Sequence, residues 1–319
     1  MAIAPGVVGF ATRTPTLPPA THTNSYALGE RELLLVEPAS PYPEEQRAFV
    51  EWARGLESQG RELKAIFLTH HHIDHVGGAL ALSRELQLPL LAHPATAAHL
   101  AAAWPADGRQ LDDGETLLLD GAVPQRWQVL HTPGHAPGHL CLYEAALGQL
   151  VVGDMVASVG TILIEPGDGH MATYLEQLKR LSALGASLAL PAHGDPIRAV
   201  ETAPGLSAAA TLGPAHATPT AGVDQRQASG SSASPSDWFD FYISHRLRRE
   251  AKVLDAVKRL READLDQLVS LAYDDTPPSV WGLAKLSLHA HLIKLVEEGR
   301  VCSSERGYRP GVATLAEDA

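Results

Sequence analysis

The sequence predicts an α/β fold: an αββα sandwich with two sheets face to face and helices outside, followed by a small, mainly helical winged-helix-like module. Three observations carry this. Between Glu32 and Ala103 apolar, β-favouring runs alternate with helical patterns. Between Thr116 and Val152 strand follows strand. From Phe241 onward three amphipathic helical patterns precede a short hairpin pattern.

In chain order, Val7-Val-Gly-Phe10, Ser25-Tyr-Ala-Leu28 and Glu32-Leu-Leu-Leu-Val36 read as an opening meander, broken by the Pro15, Pro18, Pro19 turn and by Gly29-Glu30. Pro43 to Leu56 reads as a helix, with proline at its start and Gly60 soon after its end. The buried run Leu63-Lys-Ala-Ile-Phe-Leu68 follows, then a helix from Val76 to Leu86, a short strand at Pro89-Leu-Leu-Ala92 and a helix from Pro94 to Ala103. After the Asp113-Gly114 turn come strands at 116–119, 126–130, 139–143 and 149–152. Met171 to Leu184 places Tyr174, Leu175, Leu178 and Leu181 on one helical face, and Ser187-Leu-Ala-Leu190 is the next strand.

The domains expected are therefore 1–202, a catalytic unit, and 237–311, the winged-helix-like unit, with a short tail at 312–319. From 203 to 236 the composition shifts to Ala, Pro, Gly, Ser and Thr, the signature of a flexible linker or insertion. In the C-terminal unit Phe241 to Arg261, Asp264 to Tyr273 and Pro278 to Gly299 read as helices, and Val301 to Tyr308 as a hairpin. A helix of such a unit enters a groove in nucleic-acid binders. Here acidic and basic residues nearly balance, which favours a module that packs, pairs two copies as a homodimer, or shapes the mouth of a cleft.

At 319 residues the chain is long enough for a large core, and no apolar run approaches the roughly 18 to 20 residues of a membrane span. No membrane partner is expected. The start, Met1-Ala-Ile-Ala-Pro-Gly, has no basic region, and two distant cysteines, Cys141 and Cys302, give no disulfide framework; both point to a cytoplasmic protein. The net charge of −12 opposes non-specific attraction to a polyanion, although it leaves room for a local basic path.

The chemistry is concentrated in Thr69-His-His-His-Ile-Asp-His75, between the strand ending at Leu68 and the helix that begins at Val76. Along an extended segment His70, His72 and Asp74 share one side and His71 takes the other. Imidazole and carboxylate together suit Zn2+ and its neighbours, and this many donors exceed the needs of one open catalytic ion, so two ions are expected.

The spacing His70-x-His72-x-Asp74-His75, with Pro133-Gly-His135, Gly153-Asp154 and Pro191-Ala-His193-Gly downstream, resembles the signature of the metallo-β-lactamase superfamily. The resemblance implies that His70, His72 and His135 hold one ion, that Asp74, His75 and His193 hold the second, and that Asp154 bridges them. The implied cofactor is two Zn2+, with iron or manganese compatible. A closer likeness links His131-Thr-Pro-Gly-His-Ala-Pro-Gly-His139, Thr173 to Leu181 and Tyr242 to Glu250 to the β-lactamase-like hydrolases that include a single-strand endoribonuclease. Asp154 stands where the main zinc β-lactamases carry cysteine, and His72 where flavin-linked diiron reductases carry glutamate. Both departures argue against those activities.

The function expected is that of a dinuclear-zinc hydrolase. Water activated between the ions, its pKa lowered from about 15.7 to about 7, cleaves an ester-type bond. Asp74 is the candidate catalytic base. A phosphodiester, with single-stranded RNA as one substrate, ranks slightly ahead of a small thioester, lactone or activated phosphoester; a non-catalytic nucleic-acid binder comes last. His139, His170 and Tyr174 are candidate substrate contacts, whereas His131 and His71 read as structural.

Overall fold

The computed structural model describes residues 1–198 and 234–311. The expected linker, up to residue 233, and the expected 312–319 tail lie outside the described residues. The first half of the sandwich runs β1 (Ala2–Ala4), β2 (Val7–Arg13), β3 (His22–Leu28), β4 (Glu32–Val36), α1 (Pro43–Glu57), β5 (Glu62–Phe67), α2 (Ile73–Val76), α3 (Ala79–Leu86), β6 (Leu90–Ala92), α4 (Pro94–Leu100) and β7 (Arg109–Gln110). The second half runs β8 (Thr116–Leu119), β9 (Gln125–His131), β10 (Leu140–Glu144), β11 (Gln149–Gly153), α5 (Met171–Ser182), β12 (Leu188–Pro191) and β13 (Ile197–Arg198). The C-terminal unit is α6 (Pro235–Leu260), α7 (Leu265–Ala272), α8 (Trp281–Glu297), β14 (Val301–Ser304) and β15 (Gly307–Pro310).

Strands β1 to β7 form one sheet in sequence order, antiparallel up to β4 and parallel beyond it. The second sheet is ordered β13-β12-β11-β10-β9-β8, with only β11 and β12 parallel. Alternation along β4 explains its unbroken apolar run. Leu34 and Val36 enter the layer between the sheets with Tyr26, Phe67, Trp127 and Leu190, while Leu33 and Leu35 pack outward on Phe49, Ala53 and Leu82 of the helices. A third cluster joins Leu150 and Val152 of the second sheet to α5 and to Phe239 and Tyr242 of α6, so the C-terminal unit is packed onto the sandwich.

Several boundaries differ from the sequence expectation, three of them as follows. The helix expected from Val76 is split into α2 and α3 at Gly77-Gly78, where the chain presses on the preceding loop. A Cβ at Gly77 would lie 2.7 Å from Pro41 N and one at Gly78 2.7 Å from Pro38 O. The helix expected from Phe241 starts at Pro235, and the expected linker therefore ends earlier. Ser234 and Asp237 form a capping box that satisfies the first turn. The helix expected to reach Ala103 leaves the α conformation after Leu100, and residues 101–103 form a 3-10 turn.

Candidate metal centre

Loops at one end of the sandwich carry the seven residues singled out by their spacing. His70 and His72 follow β5, Asp74 and His75 lie in α2, His135 sits in the β9–β10 turn, Asp154 follows β11 and His193 follows β12. Asp74 and His75 arrive by a helical turn, so simple strand alternation does not extend past His72. The His135 turn is held tightly against α5: Gly134 has φ +127°, and a Cβ there would meet Tyr174 N and Cα at 2.4 Å.

Two groups of donors converge. His70 Nε2 stands 3.0 Å from His72 Nδ1 and 3.2 Å from His135 Nε2. Two donors on one tetrahedral zinc at about 2.0–2.1 Å lie about 3.3 Å apart, close to these spacings. In the second group Asp74 Oδ2 is 3.5 Å from His193 Nε2 and Asp74 Oδ1 3.9 Å from His75 Nε2. Asp154 lies between them: Oδ2 is 3.5 Å from His135 Nε2 and 3.6 Å from His75 Nε2, and Oδ1 is 3.4 Å from His193 Nε2.

The outer nitrogens decide what the inner ones can do. His75 donates from Nδ1 to Glu37 Oε2 (2.8 Å), His135 from Nδ1 to Leu163 O (2.9 Å), His193 from Nδ1 to His22 O (3.0 Å), and His72 from Nε2 to Asp168 Oδ2 (2.7 Å). His70 Nδ1 meets Thr69 Oγ1 at 3.0 Å. In the neutral imidazoles the inner nitrogens then carry lone pairs, and they face each other and two carboxylates. Buried His75 Nε2 and Asp154 Oδ1 have no hydrogen-bond partner among the described residues, and Thr16 Oγ1 approaches His193 Nε2 only to 3.5 Å. Such a knot of acceptors is costly unless cations sit in it, so the residues present fit a pair of divalent ions.

Burial and charge move the groups of the cluster in both directions. Burial, then the neighbouring imidazoles, push His70 and His139 well below the ordinary imidazole range, and His135 falls to about 4. Burial alone would raise Asp154, yet His193, His75 and His135 bring it well below the usual carboxylate range. His75 is the exception: the Glu37, Asp154 and Asp74 carboxylates outweigh burial and hold it well above its ordinary value. Cys141 is buried and its thiol is pushed up to about 12, which removes it as a nucleophile.

The candidate substrate contacts take other positions. His139 is fully buried; its Nε2 accepts the Asp154 N–H (3.1 Å) and its Nδ1 meets Thr132 Oγ1 (2.8 Å), so it braces Asp154 and reaches neither substrate space nor His135. Tyr174 is also fully buried and donates to Met155 O (2.7 Å), because its place on the apolar face of α5 points it into the core. His170 caps α5 and turns its Nε2 toward Glu297 of α8 (3.0 Å) rather than into the cleft. His131 donates to Pro137 O and stacks on His93, a structural role as expected.

Two acids escaped the sequence reading, Glu37 and Asp168, each holding one donor histidine. Glu37 is 1% exposed; its other oxygen accepts the Thr69 N–H (3.1 Å).

A cleft of about 250 Å³ opens over the cluster, floored by His72, Asp74, His135, Asp154 and His193. Its walls are the β2–β3 loop, with Pro15, Thr16, Leu17 and Pro18, and the segment after Asp154, with Val159, Thr161, Ile162, Leu163 and Glu165. No lysine or arginine is among the described residues lining it. Leu17 and Ile73 stand at this cleft 46% and 57% exposed, large apolar side chains that the fold itself leaves uncovered. From behind, α6 grips the wall: Tyr242 Oη accepts the Ala157 N–H and donates to Ala157 O, Trp238 Nε1 donates to Ala157 O, and the buried Arg246 donates to Ile162 O.

Residues 18–193 match the metallo-beta-lactamase superfamily, and residues 265–309 match the beta-lactamase associated winged helix domain. The chain belongs to the metallo-β-lactamase superfamily. It is similar to an atrochrysone carboxyl ACP thioesterase of Emericella nidulans, 29% identical over 181 residues, covering 55% of this chain and 52% of that protein. A beta-lactamase-like protein 2 homolog of Drosophila melanogaster is 24% identical over 290 residues, covering 88% and 84%. The chain thus spans about half the length of the thioesterase. A beta-lactamase domain protein of Burkholderia ambifaria superposes with a TM-score of 0.74 at 19% identity, covering 98% of this chain and 92% of that one. A metallo-beta-lactamase family protein of Thermus thermophilus gives 0.70 at 22%, covering 97% and 99%. These two share the fold, including the C-terminal unit. No helix among the described residues is long and apolar enough to cross a membrane.

Proposed function

We propose that the chain is a two-ion hydrolase of carboxylic esters or thioesters whose acyl part is uncharged and apolar. His70, His72 and His135 would hold one divalent ion, Asp74, His75 and His193 the other, and Asp154, whose carboxylate stands beside donors of both groups, would serve the two together. Bound there, the ions would supply Lewis acidity and water of lowered pKa, as zinc does.

The chain's own residues do the rest. Asp74, whose side chain lines the cleft floor, takes a proton from water approaching the substrate carbonyl. Leu17, Ile73, Val159 and Leu163 receive the acyl group and exclude bulk water around the scissile bond. Residues 1–202 are read as the catalytic domain, and the unit from Ser234 to Gly311 as the support of its wall through Trp238, Tyr242 and Arg246.

The observation that carries the choice of substrate is the cleft lining. Two divalent ions against Asp74 and Asp154 leave local positive charge enough for one anionic group, but a nucleic-acid strand presents a charge at every residue and binds through a path of Lys and Arg. The cleft instead offers apolar side chains and Glu165. The sequence-based order, phosphodiester before thioester, is therefore reversed, and the similarity to an ACP thioesterase supports the reversal.

The test is a turnover panel with metal-loaded protein: acyl thioesters and p-nitrophenyl esters of two to ten carbons, bis-p-nitrophenyl phosphate and single-stranded RNA. Expected is kcat/KM rising with acyl length, up to about fourfold per buried CH2 (about 0.8 kcal/mol), until the cleft is filled. Ile73→Asp should flatten that rise. RNA cleavage above all acyl substrates, unaffected by Ile73→Asp, would contradict the proposal.

A further inference from the structure

Of the five donor histidines, His72 is the most exposed, with a third of its side chain open to solvent, whereas His70 and His75 are fully buried. Its ring packs against His70, His71 and His135 on one side. Its outer nitrogen meets Asp168, whose Oδ2 accepts from His72 Nε2 at 2.7 Å and whose Oδ1 lies 3.4 Å from His71 Nε2. His71 is itself held by stacking on His99 of α4, ring centres 3.5 Å apart.

The loop bearing Asp168 is pinned at both ends. Asp168 N–H and Gly169 N–H donate to Glu165 O, and His170 N–H donates to Gly134 O, beside His135. Past Asp168, His170 caps α5 and meets Glu297 of the C-terminal unit. His71, His72 and Asp168 come close enough to suggest an ion of their own. That would require His72 to give up its Nε2 proton while its Nδ1 faces His70, so the trio is better suited to bracing than to coordination.

We propose that Asp168 is the positioning residue for the first ion, acting through His72. Its carboxylate keeps the proton on Nε2, leaves the Nδ1 lone pair aimed at the cluster, and raises the ring's donor strength. The second ion has the same device in Glu37–His75, but sealed in the core. The two halves of the centre thus differ: one is braced by a buried acid, the other by an acid on a part-exposed loop. This rests on the two-ion reading above and adds to it which half is the more readily perturbed.

The experiment is zinc titration against a chromophoric chelator, with wild type, Asp168→Ala and Asp168→Asn, followed by Co2+ substitution and absorption spectra. Expected for Asp168→Ala is one of two binding steps weakened about 10- to 100-fold, with the other within twofold. Asp168→Asn, whose amide oxygen still accepts from Nε2, should fall between. Altered d–d band intensity and an unchanged melting temperature of the chelated protein should accompany these shifts. Two steps unchanged in both variants, or both weakened equally with a lower metal-free melting temperature, would overturn the role of Asp168. A wild-type chain that binds fewer than two ions would overturn the two-ion reading along with it.

Discussion

Replacing Glu37 by glutamine changes one buried oxygen into an NH2 and little else, and the structure leaves that amide no good orientation. Glu37 Oε1 accepts from Thr69 N at 3.1 Å and Oε2 from His75 Nδ1 at 2.8 Å, at a site 1% exposed. If the amide oxygen faces His75, the NH2 confronts the Thr69 N–H and a buried donor goes unpaired, costing about 1–3 kcal/mol. At about 2–4 °C per kcal/mol for a chain of this size, the chelated protein should melt about 2–12 °C lower. If instead the NH2 faces His75, the ring must carry its proton on Nε2, the nitrogen 3.6 Å from Asp154 Oδ2, and it can no longer donate to an ion. Thermal melts with and without metal, beside chelator competition, separate the two. Either stability or the second binding step must suffer. A Glu37→Gln protein that melts within a degree of wild type and holds both ions as tightly would refute the assignment of Glu37 and the tautomer reasoning behind it.

Other outcomes follow from the support around the cleft. Arg246→Met removes the guanidinium that donates to Ile162 O and lies 5.5 Å from the Tyr174 ring centre. The wall should loosen by about 1–2 kcal/mol, read in steady-state kinetics as KM for acyl substrates rising about 5- to 30-fold while kcat changes less than twofold. His245 is held at about 3 by burial first and then by Arg246, Arg249 and Arg248. An unfolded chain binds this proton below about 6.5 and the folded chain does not, so the stability His245 contributes is complete above about pH 6.5 and falls toward pH 3. The full slope for one group is about 1.4 kcal/mol per pH unit, and partial exposure should leave about half of it. His245→Gln should flatten the loss by that amount in urea melts between pH 6.5 and 4.

The cluster of candidate donors was legible in the sequence because the fold delivers it from short, dense motifs: the 70–75 loop, Pro133-Gly-His135, Gly153-Asp154 and Pro191-Ala-His193 keep these residues within a few positions of a strand end. Their mutual placement emerges only from the structure. Glu37 and Asp168 were not legible, since a lone acid after an apolar strand, or in a glycine-flanked turn, looks like a solvated residue until its partner is brought from elsewhere in the chain. His139, His170 and Tyr174 misled in the opposite sense: proximity in sequence to a ligand loop placed them near the centre, while packing spent their polar atoms on Asp154, Glu297 and Met155. The early start of α6 did have a local signal, Ser234-Pro-Ser-Asp237, masked by the Ser- and Pro-rich run before it.

The central claim is that seven side chains form one two-ion centre joined by Asp154. The most direct measurement is the zinc content per chain after reconstitution and desalting, for wild type and for Asp154→Ala, with circular dichroism to establish that both are folded. The proposed two-ion reading predicts two ions per wild-type chain and one or fewer in a folded Asp154→Ala, with turnover of acyl substrates reduced at least about 100-fold. A wild-type chain that retains less than one ion, or an Asp154→Ala chain that keeps both, would contradict it.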